Sequence, residues 1–217
     1  MATVAENAMV GSDTLVFVVD DDDSVCRALA RLIQSAGYRV ETFGSASAFL
    51  NRMPVETCPA CVVLDVQLPD LNGLDLQKKL NAALPIIFLT GHGDIAMGVE
   101  AMKAGATDFL TKPVCDIDLL RAIGEALERA VVMCAIRREL DSIRDRVERL
   151  TPREREVMAL VVTGLLNKQV AGELGTVEQT IKAHRRRVMA KMEATSFAQL
   201  IRIVDKIGFS STHELRV

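Results

Sequence analysis

The chain has 217 residues, of which 49% are hydrophobic, 25% are charged and 4% are aromatic, and its formal net charge is −3. This length favours two domains, because one domain usually holds about 100–200 residues. No apolar run approaches the roughly 18 residues of a membrane span, and the first residues lack the cationic and apolar segments of a secretory signal. We therefore expect a cytoplasmic protein without a membrane partner.

Charge is unevenly divided along the chain. Residues 1–128 hold 9 Lys and Arg against 18 Asp and Glu, residues 129–150 hold 6 against 4, and residues 151–217 hold 11 against 7. An acidic front and a basic tail indicate a metal-binding or regulatory domain followed by a domain that binds a polyanion.

The five cysteines are an odd number and fit a reducing compartment. Cys58 and Cys61 have the spacing of a redox or zinc pair. However, this pair runs into a predicted strand instead of opening a helix, and no second pair lies near it. We therefore expect neither chemistry from it.

Short apolar strands alternate with helical patterns after a tail, residues 1–13, that we expect to be disordered. The predicted strands are 14–19, 38–43, 60–64, 85–89 and 107–110, and each is followed by a helical pattern. Strands of this length and composition indicate an α/β fold with a parallel five-stranded sheet covered on both faces.

Polar residues follow four of these strands at the point where the strand ends. Asp20 and Asp21 follow the first strand, Asp65 the third, Thr90 the fourth and Lys112 the fifth. The carboxyl ends of parallel strands meet at one edge, where such sheets bind their ligands. Clustered carboxylates repel one another unless a cation separates them, and oxygen ligands favour Mg²⁺. The pattern predicts a phosphoryl-accepting site, with Asp65 as acceptor, Lys112 as fixed cation and Thr90 as the hydroxyl that senses the new group.

The fifth helical pattern continues far beyond the sheet. Between Pro113 and Pro152 the only Gly or Pro is Gly124, and apolar residues recur at spacings of three and four, with one interruption near Arg137. A helix of about 35 residues would be about 50 Å long. Its apolar stripe is typical either of a coiled-coil seam or of a packing face against both domains, and the pattern leaves both open.

The C-terminal segment carries three patterns that begin helices. Thr151, Pro152 and Glu154 form a capping box, and similar patterns begin at Thr176 and Ser196. A short helix over 167–174, a turn with glycine and a longer basic helix to about Met192 form a helix-turn-helix arrangement. We expect a small all-α domain of four helices.

The longer basic helix has an apolar face and a charged face. The predicted core stripe contains Val177, Ile181, Val188 and Met192, with His184 half-buried among them instead of acting as a ligand. The opposite face is predicted to read DNA, because Lys and Arg donate to guanine and an alanine methyl can touch thymine. Its residues are Gln179, Lys182, Ala183 and Arg186, with Arg185 and Arg187 on the flanks and Lys168 on the preceding helix predicted to hold phosphates.

Several motifs, in this order, resemble the receiver domain of bacterial two-component response regulators. They are VVDD at 18–21, LDVQLPDLNG at 64–73, LTGHGD at 89–94, AMKAGATDF at 101–109 and TKP at 111–113. The segments LTPREREV at 150–157, NKQVA at 167–171 and TIKAHR at 180–185 resemble a LuxR-type helix-turn-helix output domain. The loop after Leu89 is similar to the FixJ subgroup within the FixJ/NarL type.

The resemblance implies an organisation and a function. It implies a flavodoxin-like receiver over 14–128, a helical linker over 129–149 and a DNA-binding domain over 150–217. It also implies a sensor histidine kinase as phosphoryl donor, Mg²⁺ as cofactor, and a homodimer formed on phosphorylation through the fourth helix and fifth strand. Double-stranded DNA would be the final target. Such a protein is not an enzyme beyond its own phosphotransfer and slow dephosphorylation.

Individual roles follow from the same resemblance. Mg²⁺ would be held by Asp21, Asp65 and the backbone carbonyl of Gln67, with Asp20 acting directly or through water. Lys112 would pair with the phosphoryl group and precede a cis peptide. Thr90 would move toward the phosphoryl oxygen and Phe109 would rotate into the vacated space, although alone they would pass for a strand-end cap and a core aromatic. The implied DNA-binding residues are Lys168, Gln179, Thr180, Lys182, Ala183, Arg185, Arg186 and Arg187.

Two other functions compete with this interpretation. An aspartate-nucleophile phosphohydrolase has a similar sheet, but usually carries a second carboxylate two residues after the nucleophile, where this chain has Gln67. A scaffold could use the basic domain to bind a protein instead of DNA. Steeply salt-dependent binding to duplex DNA would argue against the scaffold.

Overall fold

The computed structural model describes residues 14–52, 59–80, 83–91 and 95–209. The chain divides into two compact units, residues 1–135 and residues 136–217. The predicted tail at 1–13, Cys58, and His92, Gly93 and Asp94 of the loop after β4 lie outside the described residues.

Strands and helices alternate through the first unit. They are β1 Leu15–Val19, α1 Asp23–Ser35, β2 Arg39–Phe43, α2 Ala46–Arg52, β3 Ala60–Asp65, α3 Gly73–Leu80, β4 Ile86–Thr90, α4 Ile95–Lys103 and β5 Asp108–Thr111, followed by α5 Asp116–Glu148. The second unit continues with α6 Pro152–Val162, α7 Asn167–Glu173, α8 Glu178–Lys191 and α9 Phe197–Lys206. None of the helices within the described ranges is long and apolar enough to cross a membrane.

The five strands form one parallel sheet in the order β2-β1-β3-β4-β5. This is the flavodoxin-like order, so the predicted α/β fold is confirmed. The strands β1, β3 and β4 are buried along their whole length. Their apolar runs arise because helices cover both faces of the sheet.

Two apolar layers enclose the sheet. One layer includes Ile33 of α1 and Leu119 and Ile123 of α5, and the other includes Phe49 of α2 and Leu76 of α3. Because successive residues of a strand point to opposite faces, each central strand contributes to both layers. Because the strands are parallel, their carboxyl ends lie at a single edge, and the two apolar layers hold that edge in place.

The acidic run after β1 divides into two functions. Asp22 caps α1, since its carboxylate accepts hydrogen bonds from the backbone N–H of Ser24 at 2.7 Å and of Val25 at 3.4 Å. Those hydrogen bonds lower the pKa of Asp22. Asp23 lies in the first helical turn, where an acid interacts favourably with the helix dipole. This second pair of acids therefore begins the helix, and the first pair, Asp20 and Asp21, is available for the site.

The predicted long helix is also confirmed, as α5. Its residues Leu119, Ile123 and Ala126 pack against the sheet. Nearer its end, Ile143 is buried in a core of the second unit together with Leu200 of α9. Both ends of α5 therefore have a packing face, and a coiled-coil role for the helix stays a prediction.

The three predicted helix starts of the second unit have different outcomes. The capping box of Thr151 and Glu154 is confirmed at the start of α6. Ser196 also caps its helix, since its hydroxyl accepts from the N–H of Gln199 at 3.2 Å. The box at Thr176 is wrong, because α8 begins at Glu178 with Val177 in the N-cap position and without a side-chain cap.

The later start of α8 also changes its predicted core stripe. Ile181, Val188 and Met192 are buried as predicted, and His184 is half-buried. Val177 is 65% exposed, so its assignment to the core is wrong. An N-cap residue lies only half inside the helix, and for this reason its side chain does not follow the helical stripe.

Glu154 gives the second unit a pH-dependent stability. Its carboxylate is buried and accepts from the N–H of Thr151 at 3.0 Å and from Nζ of Lys191 at 2.6 Å. Burial would raise the pKa of Glu154, but the hydrogen bonds from Lys191 and Thr151 outweigh it and hold the pKa below its ordinary 4.5. A depressed folded-state pKa stabilises the domain above the unfolded value, and this contribution is lost as pH falls through the folded value.

We expect Glu154→Gln to destabilise α6 by roughly 1–3 kcal/mol at pH 7, because it weakens the cap and leaves Lys191 without its carboxylate. The difference in stability between this variant and the unchanged chain should shrink as pH falls below the ordinary pKa of glutamate, 4.5. Amide hydrogen exchange of residues 152–162 across pH measures both effects. Glu156→Gln, which removes the half-buried partner of Arg153 on the same helix, is the matched control. A destabilisation independent of pH would contradict the proposed role of the ionised carboxylate.

Candidate functional site

Three carboxylates meet at the carboxyl edge of the sheet. Asp20 follows β1, Asp21 is the next residue, and Asp65 is the last residue of β3. One oxygen from each carboxylate lies within 4.8 Å of the others, so the three can share a metal ion. Asp20 is 1% exposed and Asp65 is 7% exposed, whereas Asp21 is exposed. The edge therefore concentrates negative charge in a partly buried place.

Lys112 lies between two of these acids. Its Nζ donates to Oδ2 of Asp20 and to Oδ2 of Asp65, each at 2.6 Å. Its backbone N–H donates to the carbonyl of Thr90 at 2.7 Å, which joins the end of β4 to the residue after β5. The peptide from Lys112 to Pro113 is cis, as predicted. The cation is thus held by backbone and side chain together.

The charges of these groups depend on one another. Burial raises the pKa of Asp20, although hydrogen bonding to Lys112 opposes this effect. For Lys112, burial alone would lower the pKa, but the hydrogen bonds and charges of Asp20 and Asp65 prevail and raise it. Lys112 therefore keeps its proton near neutral pH. One ammonium faces three carboxylates, and the remaining negative charge favours a divalent cation.

Asp65 is oriented by hydrogen bonds to both of its oxygens. The backbone N–H of Gln67 donates to Oδ1 at 3.0 Å, while Oδ2 faces Lys112. This turn also brings the peptide unit of Gln67 next to the carboxylate. Carboxylate and carbonyl oxygens are the ligands that Mg²⁺ prefers, and it keeps several waters and a phosphate oxygen as well. The donor set at this edge fits that ion.

Thr90 and Phe109 lie on β4 and β5, the two strands that follow β3 in the sheet. Thr90 is buried at the end of β4, one residue beyond the Leu89 that pairs in register with Asp65. Phe109 is half-buried on β5, with its ring centre 6.2 Å from that of Phe88. A Cβ on Gly98 of α4 would lie 3.2 Å from the Phe109 ring. This glycine lets α4 approach the aromatic ring closely.

Two supporting residues were not identified from the sequence. A Cβ on Gly73 would lie 2.7 Å from the carbonyl oxygen of Asp65, so only glycine allows α3 to begin there. Asp70 accepts from the backbone N–H of Ala46 at 3.2 Å and of Ser47 at 2.8 Å, and so holds the start of α2. The glycine before a helical pattern was a usable signal, whereas the Asp70 contact depends on the tertiary fold.

An apolar groove lies where α4 meets β5. It has a volume of about 510 Å³ and is lined by Ile95, Gly98, Val99, Met102, Lys103, Asp108, Phe109 and Thr111. Three of these side chains are large, apolar and exposed: Ile95 at 83%, and Val99 and Met102 at 47% each. Three of the lining residues, Asp108, Phe109 and Thr111, belong to β5, the strand that Lys112 directly follows.

The basic helix α8 presents most of the predicted DNA-binding residues to solvent. The exposed side chains are those of Gln179, Lys182, Ala183, Arg186 and Arg187 on α8 and of Lys168 on α7, while Thr180 and Arg185 of α8 are half-buried. Arg185 donates to Oδ1 of Asn167 at 3.2 Å, and its guanidinium lies 4.8 Å from the ring centre of Phe197. Arg185 is therefore oriented by α7 and α9.

Comparisons with known proteins agree with both units. Residues 16–124 match the family of response regulator receiver domains, and residues 148–204 match the LuxR family of bacterial regulatory proteins. Nodulation protein W of Bradyrhizobium diazoefficiens is 50% identical, over 92% of this chain and 88% of its own length. The transcriptional regulatory protein FixJ of the same organism is 40% identical, over 89% of this chain and 95% of its own. The solved structure of the response regulator StyR has a TM-score of 0.73 and 44% identity, and covers 90% of this chain and 100% of that one.

Two glycine substitutions test how tightly the edge is packed. We expect Gly73→Ala to lower the free energy of unfolding by about 1–3 kcal/mol, because the new methyl group would collide with the Asp65 backbone. Gly124→Ala is the control, since a Cβ there meets nothing within 4 Å, and it should stabilise α5 by up to about 1 kcal/mol. Urea unfolding of both variants measures the contrast. Equal stability of the two variants would show that Gly73 is not sterically required.

Proposed function

Because the chain belongs to the two-component response regulators that join a receiver domain to a LuxR-type DNA-binding domain, we propose that Asp65 accepts the phosphoryl group that controls it. The family makes the chain a phosphorylation-dependent regulator of transcription. One observation carries the assignment to Asp65: its carboxylate lies between Lys112 and the Gln67 N–H, within a cluster of three acids.

We propose a transfer in which the residues of the edge mainly position and neutralise charge. An oxygen of Asp65 attacks the phosphorus of a kinase phosphohistidine. The new O–P bond forms as the N–P bond breaks, and the electron pair of that bond remains on the histidine nitrogen. Lys112 exchanges one of its carboxylate contacts for a phosphoryl oxygen. When bound, Mg²⁺ supplies further positive charge for the transferred oxygens.

The proposed ion ligands are Asp21, Asp65 and the Gln67 carbonyl, with Asp20 binding directly or through a water. The donor chemistry supports this set, because all of these groups offer oxygen. Gln67 also bears on the phosphohydrolase alternative. It occupies the place where such enzymes usually carry their second carboxylate, and its amide cannot act as that general acid.

We propose that Thr90 and Phe109 transmit the modification. The hydroxyl of Thr90 would move toward the phosphoryl oxygen, and the ring of Phe109 would turn into the space that Thr90 leaves. Gly98 supports this role, because the ring lies directly against α4 and its rotation must change how α4 packs. Because the Phe109 ring would have two alternative orientations, the receiver would have two discrete conformations instead of a continuous deformation.

We propose that the modified receivers pair through the α4–β5 groove. Ile95, Val99 and Met102 offer the exposed apolar surface that such an interface needs, and Lys103 and Asp108 supply opposite charges beside it. Pairing would bring two output domains to a two-fold DNA site. Residues 14–128 would act as the receiver, 129–149 as the helical linker and 150–217 as the output domain. A cytoplasmic location stays a prediction.

For DNA contact we propose that α8 enters the major groove. Gln179, Thr180, Lys182, Ala183 and Arg186 would face the bases. Arg185, Arg187 and Lys168 would hold phosphates. The net positive charge of residues 151–217 supports binding to DNA, and the exposed Lys182, Arg186 and Arg187 support the choice of α8.

The phosphoacceptor is tested by mass spectrometry after treatment with acetyl phosphate and Mg²⁺. The unchanged chain should gain a single phosphoryl adduct, and Asp65→Asn should gain none, because an amide is not an effective nucleophile. Asp75→Asn is the control, since it removes an exposed acid paired with Lys78 on α3 and should leave the adduct intact. An undiminished adduct in Asp65→Asn would refute the assignment.

The dimer interface is tested by introducing a charge into the groove. We expect Val99→Lys to be phosphorylated normally but to stay monomeric, because like charges would face each other across a two-fold interface. Ile117→Lys, at a site 77% exposed on α5, should still dimerise. Sedimentation of the phosphorylated chains distinguishes them. Dimerisation of Val99→Lys as strong as that of the control would exclude this surface.

Salt dependence tests the phosphate contacts. Arg187→Ala should weaken duplex binding for all sequences and reduce the slope of log K against log salt by about 1. Arg202→Ala, an exposed residue of α9, should leave the slope unchanged. Fluorescence anisotropy at several salt concentrations provides both slopes. A full slope for Arg187→Ala would remove this residue from the interface.

A further inference from the structure

The basic surface of α8 contains one acidic residue. Glu178 is the only Asp or Glu between Thr176 and Lys191. It occupies the first position of α8, with its side chain 45% exposed, and its Oε1 lies 3.0 Å from Nζ of Lys182 one turn later. Lys182 is itself 55% exposed. The two groups form an acceptor and a donor side by side on the surface proposed to face DNA.

Stabilisation of α8 is a weak explanation for the ion pair between Glu178 and Lys182. Exposed ion pairs one helical turn apart contribute little, since water already solvates both charges. In a DNA-binding surface the acid also has a cost, because phosphates repel it and lower the affinity for every sequence. The other described acids in α6 and α7 have different places: Glu154 is buried against Lys191, Glu156 pairs with Arg153, and Glu173 ends α7.

The chemistry of a G·C base pair matches the chemistry of this ion pair. In the major groove guanine presents the acceptors O6 and N7, and cytosine beside it presents the N4 amino donor. Lysine donates to the former and a glutamate accepts from the latter. We propose that Glu178 and Lys182 act together to read one G·C base pair in one orientation. This inference rests on the proposed placement of α8 in the major groove.

Discrimination arises from the acid as much as from the lysine. At the preferred base pair both side chains exchange their mutual contact for base contacts of the same kind. At a wrong base pair Glu178 lacks a matching amino group and remains close to phosphates, while Lys182 lacks its paired acceptors. An unfavourable contact with the wrong partner increases specificity more than it increases affinity.

The experiment uses the full-length chain treated with acetyl phosphate and a duplex library with a randomised centre. Selection defines the preferred site, and every base pair of that site is then varied singly. The unchanged chain should prefer G·C at one position by about five- to a hundredfold. Glu178→Gln should reduce that preference toward unity and bind random duplex severalfold more tightly. Glu156→Gln removes the same charge from α6 and should keep the preference.

A charge exchange gives a sharper result. The double variant Glu178→Lys with Lys182→Glu keeps the net charge and the ion pair but reverses donor and acceptor. The preferred base pair at that position should change from G·C to C·G. A merely structural pair would leave the preference unchanged. If circular dichroism shows that the double variant does not fold, the base preference of Glu178→Gln alone decides whether the proposal stands.

The outcomes separate this inference from the proposed function. If Arg187→Ala reduces the salt slope while Glu178→Gln keeps every base preference, α8 binds DNA and the paired reading by Glu178 and Lys182 is wrong. The paired reading is also wrong if the double variant Glu178→Lys with Lys182→Glu still prefers G·C. If no sequence is selected and Arg187→Ala keeps the full slope, the proposed orientation of α8 fails, and the inference fails with it.

Discussion

The contact of Lys112 with Asp20 and Asp65 is the interaction on which the rest of the site depends. Three carboxylates at the edge of one sheet would repel one another and open the ends of β1 and β3. The ammonium between two of them, 2.6 Å from each, makes this concentration of charge compatible with a closed fold. It compensates only part of the charge. A divalent cation would compensate the remaining negative charge and also the charge of an incoming phosphoryl group.

The same contact connects chemistry to the rest of the receiver. Lys112 follows β5, its N–H is bonded to the carbonyl of Thr90, and β5 carries Phe109 against Gly98 of α4. A change in the partners of Lys112 would therefore act on the end of β4 and on β5, the strand that lines the apolar groove together with α4. In the proposed switch, this short chain of contacts is the route by which one new phosphoryl group would alter that surface without a large rearrangement of the sheet core.

Much of the fold was predictable because local patterns and tertiary packing agree. Buried strands appear as apolar runs, and polar residues at their ends identify the edge, as with Asp65 and Thr90. The Thr151 capping box is likewise a local signal. Val177 was mispredicted because helical periodicity was extended one residue before the helix begins. The contacts of Asp70 with Ala46 and Ser47 join segments more than 20 residues apart that no local pattern relates. The pairing of Lys182 with Glu178 depends on side-chain rotamers that residue spacing alone does not fix.

The most direct test of this account is calorimetric titration of the unphosphorylated chain with Mg²⁺, compared with Asp21→Asn. Asp21 is exposed, so its replacement should leave the fold intact while removing one ligand and one charge. The account predicts a single Mg²⁺ site in the unchanged chain and binding weaker by about tenfold or more in the variant. Equal Mg²⁺ binding by the two chains, or no binding by either, would contradict the claim that uncompensated charge at this edge recruits the ion.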